Sequence, residues 1–278
     1  MDHRLGKVSH VAAGVPPRRI FITFLFFILL PFPVFSQHQP SIKEILEKAI
    51  EKAKKSDDAA ERFGFYQDVI SKELSDEGNV QDKKEKTYRT IWLEDKPYQE
   101  LILVNGQPLK SDDKKDEAKR QKEFVESLHK KEKKEDDSDL DFTWDELSRK
   151  YDFALLPADN LAPFVLSFQP KSGKLQERNR QERVLNHING KVWIDHDYNL
   201  LRVEAHLIEP VGYGLSILAK IEKLDLDYTQ RQFEDVFLPA SFHVTFRGRI
   251  LVKSGSREIS STFHSFYARG SQPRSGMD

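Results

Sequence analysis

Apolar positions along the chain change their period several times, and each change marks an element. Ile42, Ile45, Leu46, Ala49, Ile50 and Ala53 recur at helical spacing, which predicts an amphipathic helix to about Lys55. Ser41-Ile42-Lys43-Glu44 opens it as a capping box, the serine oxygen taking an orphan amide while the glutamate reaches back. One side of such a helix must rest on an apolar seat.

From Phe63 the period becomes two. Phe63, Phe65 and Val69 share a strand face, Asp76-Glu77-Gly78-Asn79 has turn chemistry, and Tyr88, Thr90 and Trp92 alternate in the next segment. Asp95-Lys96-Pro97 makes a second turn, and YQELILV runs to Asn105-Gly106. This predicts a three-stranded antiparallel meander. From Lys110 to Asp141 the apolar residues thin out to Phe124, Val125, Leu128 and little else. Opposite charges at helical spacing predict a solvated, salt-bridge-laced helical insertion, docked by Phe124 and Leu128. Thr143-Trp144-Asp145-Glu146 is a second capping box, opening a short helix that ends at Tyr151.

The remainder is mostly β. PFVLSFQP reads as a strand between prolines, whereas SGKLQERNRQERVLNH fits neither period and is read as loop with one helical turn. KVWID, LLRVEAHLI, GLSILAKIEKLDLDY, VFLPASFHVTFRGRILV and REISSTFHSFYA alternate, predicting a large antiparallel sheet. In the third of these, Leu215, Ile217, Ala219 and Ile221 hold odd positions, but Leu224, Leu226 and Tyr228 hold even ones. A regular strand cannot present both sets to one side. A β-bulge near Glu222-Lys223, or a turn there, reconciles them, and a bulge bends the sheet.

Chemistry changes this picture little. Asp195-His196-Asp197 lies between two arms that each keep an apolar face, so it reads as a hairpin turn rather than a metal site. His187 is the only further ligand near it in sequence. His206, His243 and His264 lie on three late strands among polar neighbours. They would bind a transition metal only if strand order brought them together, and they are read as ordinary residues of a wet face. There is no Gly-rich phosphate loop, HExxH or GxSxG, and no cysteine to serve as a thiol nucleophile. No cofactor is implied, and no catalytic or metal residue is assigned.

Charge excludes more than it selects. The formal net charge of -1 lacks the basic excess of a nucleic-acid binder. Arg18 and Arg19, the apolar run IFITFLFFILL and the small residues near Ser36 form a secretory signal cut after Ser36. Pro31 and Pro33 interrupt that run, which is short for a bilayer span. The mature chain is therefore expected to be periplasmic or secreted, with no stable transmembrane anchor. With no cysteine it has neither disulfides nor an acylation site, so packing alone must hold it.

GKVWIDHDYNLLRVEAHL resembles the strand-turn-strand segment of outer-membrane lipoprotein carrier-like (LolA/LolB-like) proteins. GLSILAKIEKLDLDY and VFLPASFHVTFRGRI are similar to the strands that follow it there, and GFYQDVI with LILVNGQPL to the N-terminal half. The resemblance is best over Pro163 to Tyr267 and weaker over Arg62 to Gln107. It implies an α+β fold: a curved antiparallel sheet, an incomplete barrel covered by helices; the charged helical insertion over 110–141 is a departure from the carriers. It also implies one domain over 37–268 and an apolar hollow that accepts acyl chains of lipids or lipoproteins without catalysis, while the Gly-, Ser- and Pro-rich composition of 269–278 predicts a disordered tail. The lining expected from the strand faces is Val192, Ile194, Val203, Ala205, Leu207, Leu215, Ile217, Phe242, Val244 and Phe246. Two alternatives stand beside it: an envelope sensor or structural module gripping a protein through the charged helix, and a metal-dependent enzyme using the three histidines.

Overall fold

The structure is a computed structural model that describes residues 40–130, 144–173, 175, 177, 180–213, 219–250 and 253–271. Helix α1 (Ile42–Ala60) comes first, with Ser41 as its cap: the serine Oγ accepts from the Glu44 amide at 3.2 Å. Then follow β1 (Phe63–Leu74), β2 (Val80–Leu93), β3 (Lys96–Val104), the two-residue β4 (Gln107–Pro108) and helix α2 (Ser111–Lys130). After residue 143 come α3 (Trp144–Lys150), β5 (Tyr151–Leu156), β6 (Phe164–Pro170), α4 (Arg180–Leu185), β7 (Ile188–Ile194) and β8 (Leu200–Leu207). The last strands are β9 (Val211–Tyr213), β10 (Ala219–Phe233), β11 (Val236–Ile250) and β12 (Lys253–Ala268). The expected signal over 1–36, residues 131–141 of the charged stretch, Leu215 and Ile217, and the tail from 272 lie outside the described residues.

All twelve strands join one antiparallel sheet in the order β4-β3-β2-β1-β12-β11-β10-β8-β7-β6-β5, with β9 alongside β10. Among the described residues it is open, ending at β4 and β5. The N-terminal meander thus joins the rest of the sheet where β1 pairs with β12, from Phe63 opposite Ala268 to Leu74 opposite Ser256. Strand β5 and the short β9 are additions that the period-two reading does not predict. The second turn also lies one residue earlier than expected. Glu94 (φ 48°) and Asp95 (φ 66°) make it, and Lys96 and Pro97 already belong to β3, opposite Leu93 and Trp92.

Helix α1 runs across the strands at one end of the sheet. Its N-terminal half buries Ile45, Leu46 and Ala49 against Leu166 of β6 and Ile194 of β7. Its C-terminal half sets Ala59 and Ala60 on Phe63, Val236 and Leu238, at the starts of β1 and β11. Nineteen helical residues give a rod of about 28 Å, and β6 and β1 stand six strand spacings apart, roughly 29 Å. The helix is long enough to reach both. Ser56 pins it, because its Oγ accepts from the Phe237 amide at 3.0 Å and lies 3.2 Å from the Phe237 carbonyl. Each fully buried aliphatic side chain in this contact stabilises by about 1.5–3 kcal/mol.

Helix α2 closes the other flank. Phe124 packs on Tyr98 at 5.0 Å between centroids, as the sequence leads one to expect. The remaining grip is polar. Buried Glu117 accepts from the Tyr98 hydroxyl at 2.9 Å and pairs with Arg120, which also donates to the Gln99 carbonyl of β3 at 2.5 Å. Burial and the Glu117 bond push the Tyr98 phenol up to about 12. Its outward cations Lys115, Lys119 and Lys122 pair along the helix with Asp112, Glu123 and Glu126, the pattern of a solvated face.

Candidate functional site

Directly opposed residues of an antiparallel pair point to the same side, so register sorts the side chains into two faces. One face, which carries α1, contains Leu166, Val192 and Val203 in a row. The row continues through Tyr228 and Phe242 to Ser261. A parallel row holds Ala205, Leu226, Val244 and Ile259, then Ser71 on β1 with Val69 beside it. The opposite face takes the intervening residues: Lys191, Glu204, Asp227, His243 and Ser260.

Every described residue of the expected lining lies on the helix face, but the residues do not share one environment. Ile194 is 1% exposed beneath α1, and Val192 packs on the same cluster. These two are core under the helix, because α1 seats directly on the end of β7. Ala205 is buried; Val203, Leu207, Phe242 and Val244 are half-buried; Phe246 is 37% exposed, its ring lying over Gly248. Helix α1 covers β5 to β7 with its first half and reaches the starts of β1 and β11 with its second. Below it Val203, Leu226, Val244, Ile259 and Val69 form a continuous half-buried apolar strip.

Sequence reasoning left Leu224, Leu226, Ile259 and Val69 out of the lining. The first two were visible in the odd-even conflict. The register resolves that conflict by shifting between Ile221, opposite Gly248, and Lys223, opposite Arg247. Glu222 is the extra residue of the expected bulge, and Ile221 and Leu224 reach the same face. Ile259 and Val69 stand among polar residues, and only the β1–β12 pairing brings them to the strip. The strip's upper margin is Tyr228, whose hydroxyl accepts from Gln230 at 3.0 Å and whose pKa burial raises, keeping the phenol neutral.

The opposite face is bound up in its own ion pairs. Arg202 makes a two-pronged contact with Asp227 (2.9 and 2.7 Å) and lies over the Trp193 ring at 5.1 Å. The three histidines are separated and separately engaged: His206 with Asp225 at 2.8 Å, His243 with Ser260 at 2.9 Å, His264 with Asp68 at 3.0 Å. Among the described residues no group of three His, Cys, Asp or Glu could hold a metal ion. A cleft of about 520 Å³ opens between β5 and β8, with Asp152, Ser167, Lys191, Glu204 and His206 in its wall. Asp195 works as the turn it was read to be. Its carboxylate accepts from the Asp197 and Asn199 amides at 2.9 and 2.7 Å, with Tyr198 at φ 66°.

No helix among the described residues is long and apolar enough to cross a membrane. No family model and no curated protein matches the chain. Among solved structures it is similar to a DUF1329 family protein from Desulfovibrio piger, with 10% identity and a TM-score of 0.31 over 82% of this chain and 95% of that one. It is also similar to MucB in complex with MucA(peri), with 9% identity and a TM-score of 0.20 over 80% of this chain and 100% of that one. A Pseudomonas aeruginosa MucA/MucB complex gives 8% identity and the same TM-score of 0.20, over 81% and 100%. Likenesses of this size carry no assignment.

Proposed function

We propose that the mature chain is an exported, periplasmic, non-catalytic binding protein for acyl chains of lipids or lipoproteins. The observation that carries this reading is the apolar strip from Val203 and Leu226 through Val244 to Ile259 and Val69, half-buried beside a helix that covers only the strand ends. Transfer of each methylene onto such a surface contributes about 0.8 kcal/mol without directional chemistry. Register shifts along β10 and β12 support a sheet that curls towards α1 as an incomplete barrel. The alternative of protein capture through α2 has less behind it, since three of its outward cations, Lys115, Lys119 and Lys122, are already paired along the helix.

Native mass spectrometry of signal-free protein, purified from its own envelope, tests the reading. The expected result is a mass increment released as acyl lipid. Lipid-free protein that also fails to bind acylated peptides overturns it.

A further inference from the structure

Resting on the acyl-binding reading, we propose that the ligand is anionic: a long-chain acyl lipid whose phosphate head sits at Lys84 and Lys86 of β2 while its tail lies along the strip. Lys86 stands opposite Val69 on one side and Val104 on the other, and Lys84 opposite Ser71. Ser71 in turn pairs with Ile259, and Ile259 with Val244. Both ammonium groups therefore belong to the face that carries the apolar strip, at its β2 end.

Two features set these lysines apart from a solvated charge run. Neighbouring cations are already engaged: Lys83 with Glu85 at 2.6 Å, Lys72 with Glu258 at 2.7 Å and Arg257 with Glu73 at 2.8 Å. Among the described residues Lys84 and Lys86 have no such partner. Lysine is also the usual guard of a sheet edge, and Lys84 lies where β2 pairs with β1 alone, but Lys86 is flanked by both β1 and β3, so edge protection does not explain it. Of the acids on this face, Glu73 is taken by Arg257 and Asp82 lies beyond Lys84 towards the strand start, leaving the rim of the strip positive. From Leu226 on β10 to Lys86 on β2 is four strand spacings, roughly 19 Å, enough to lay out a long acyl chain. Register sets Lys86 between Val69 and Val104 and Lys84 beside Ser71, so that their ammonium groups can meet the phosphate as point charges.

The test uses the signal-free chain and monomeric dodecyl phosphate, uncharged dodecyl maltoside and inorganic phosphate, titrated by calorimetry. The wild type is expected to bind dodecyl phosphate about tenfold more tightly than the maltoside, and inorganic phosphate far more weakly than either. The double variant Lys84→Gln/Lys86→Gln should keep its melting temperature and its maltoside affinity but lose the preference. Equal wild-type affinities, or a preference undiminished in the variant, overturn the headgroup proposal and leave the acyl reading standing. Inorganic phosphate binding as tightly as dodecyl phosphate removes the tail from the site. Failure to bind either amphiphile overturns the acyl reading itself.

Discussion

Ile221 and Leu224 point to the same side of β10 although their positions differ by three, because Glu222 is left over between the pairs Ile221–Gly248 and Lys223–Arg247. That one extra residue keeps the whole strand amphipathic. It also directs Glu222 towards Arg247 and Arg249 on the opposite face, at 3.7 and 3.8 Å.

Removing Glu222 should restore a regular register and turn the segment before it inside out. Ile221 would leave its place opposite Val211, which is buried. We expect a loss of about 2 kcal/mol or more, read as a lower urea midpoint. Glu222→Ala, which keeps the residue count, should cost well under half as much. Equal effects of the two changes would show that side-chain charge, not register, is what matters there.

Val244→Asp places a carboxylate in the middle of the strip, whereas Ser260→Asp places one two strands from β10 on the other face, beside His243. Acyl-chain binding should fall at least tenfold in the first variant and stay within twofold in the second. The comparison is made on proteins whose circular dichroism is unchanged. A similar loss in both would remove the strip as the binding surface.

Asp159 ties the β5–β6 loop to the sheet. Its carboxylate accepts from the Trp193 indole at 2.7 Å and from the Leu161 and Ala162 amides at 2.8 and 3.0 Å. The Trp193 bond, then the Leu161 amide, holds its pKa below the ordinary aspartate value. A lowered folded pKa contributes stability above the unfolded value and loses it as pH falls through the folded one. In a chain that keeps Trp193 as its single tryptophan, indole fluorescence should stay constant through mild acid and change only below the usual aspartate range. Asp159→Asn should abolish that acid transition; a persistent transition assigns it elsewhere.

Gly190 on β7 leaves no room for a side chain. A Cβ there would lie 1.9 Å from the Glu204 carbonyl oxygen and 2.8 Å from the Phe168 ring. Gly190→Ala should therefore destabilise by about 2–3 kcal/mol, measured as a shift in denaturant midpoint. Gly255, with open space around its α-carbon, is the matched site where alanine should cost little.

Much of this was legible because strands and helices bury one side each. The period switch at Phe63, the capping serine of α1, the bulge at Glu222 and the turn at Asp195 all follow from local pattern. What escaped depends on partners distant in sequence. Strand β5 is short and starts directly after α3, so six residues offered too little alternation to stand out. Ile259 looked like an isolated apolar residue until β1 supplied Ser71 and Val69 beside it. Lys84 and Lys86 carried no sequence reading, and only the register gave them a face. Ile194 illustrates the converse: its alternation placed it correctly, but nothing local announced that α1 would seat on it.

The strand order has a consequence for how the chain comes to be folded. Because β1 hydrogen-bonds to β12, the β1–β3 hairpins must wait for residues 253–268 before their place in the sheet exists. Pairings that bridge almost two hundred residues close slowly, and the open edges of β1 stay exposed until then. A polypeptide arranged in this way can set its first hairpins into the sheet only once β12 is available to receive β1.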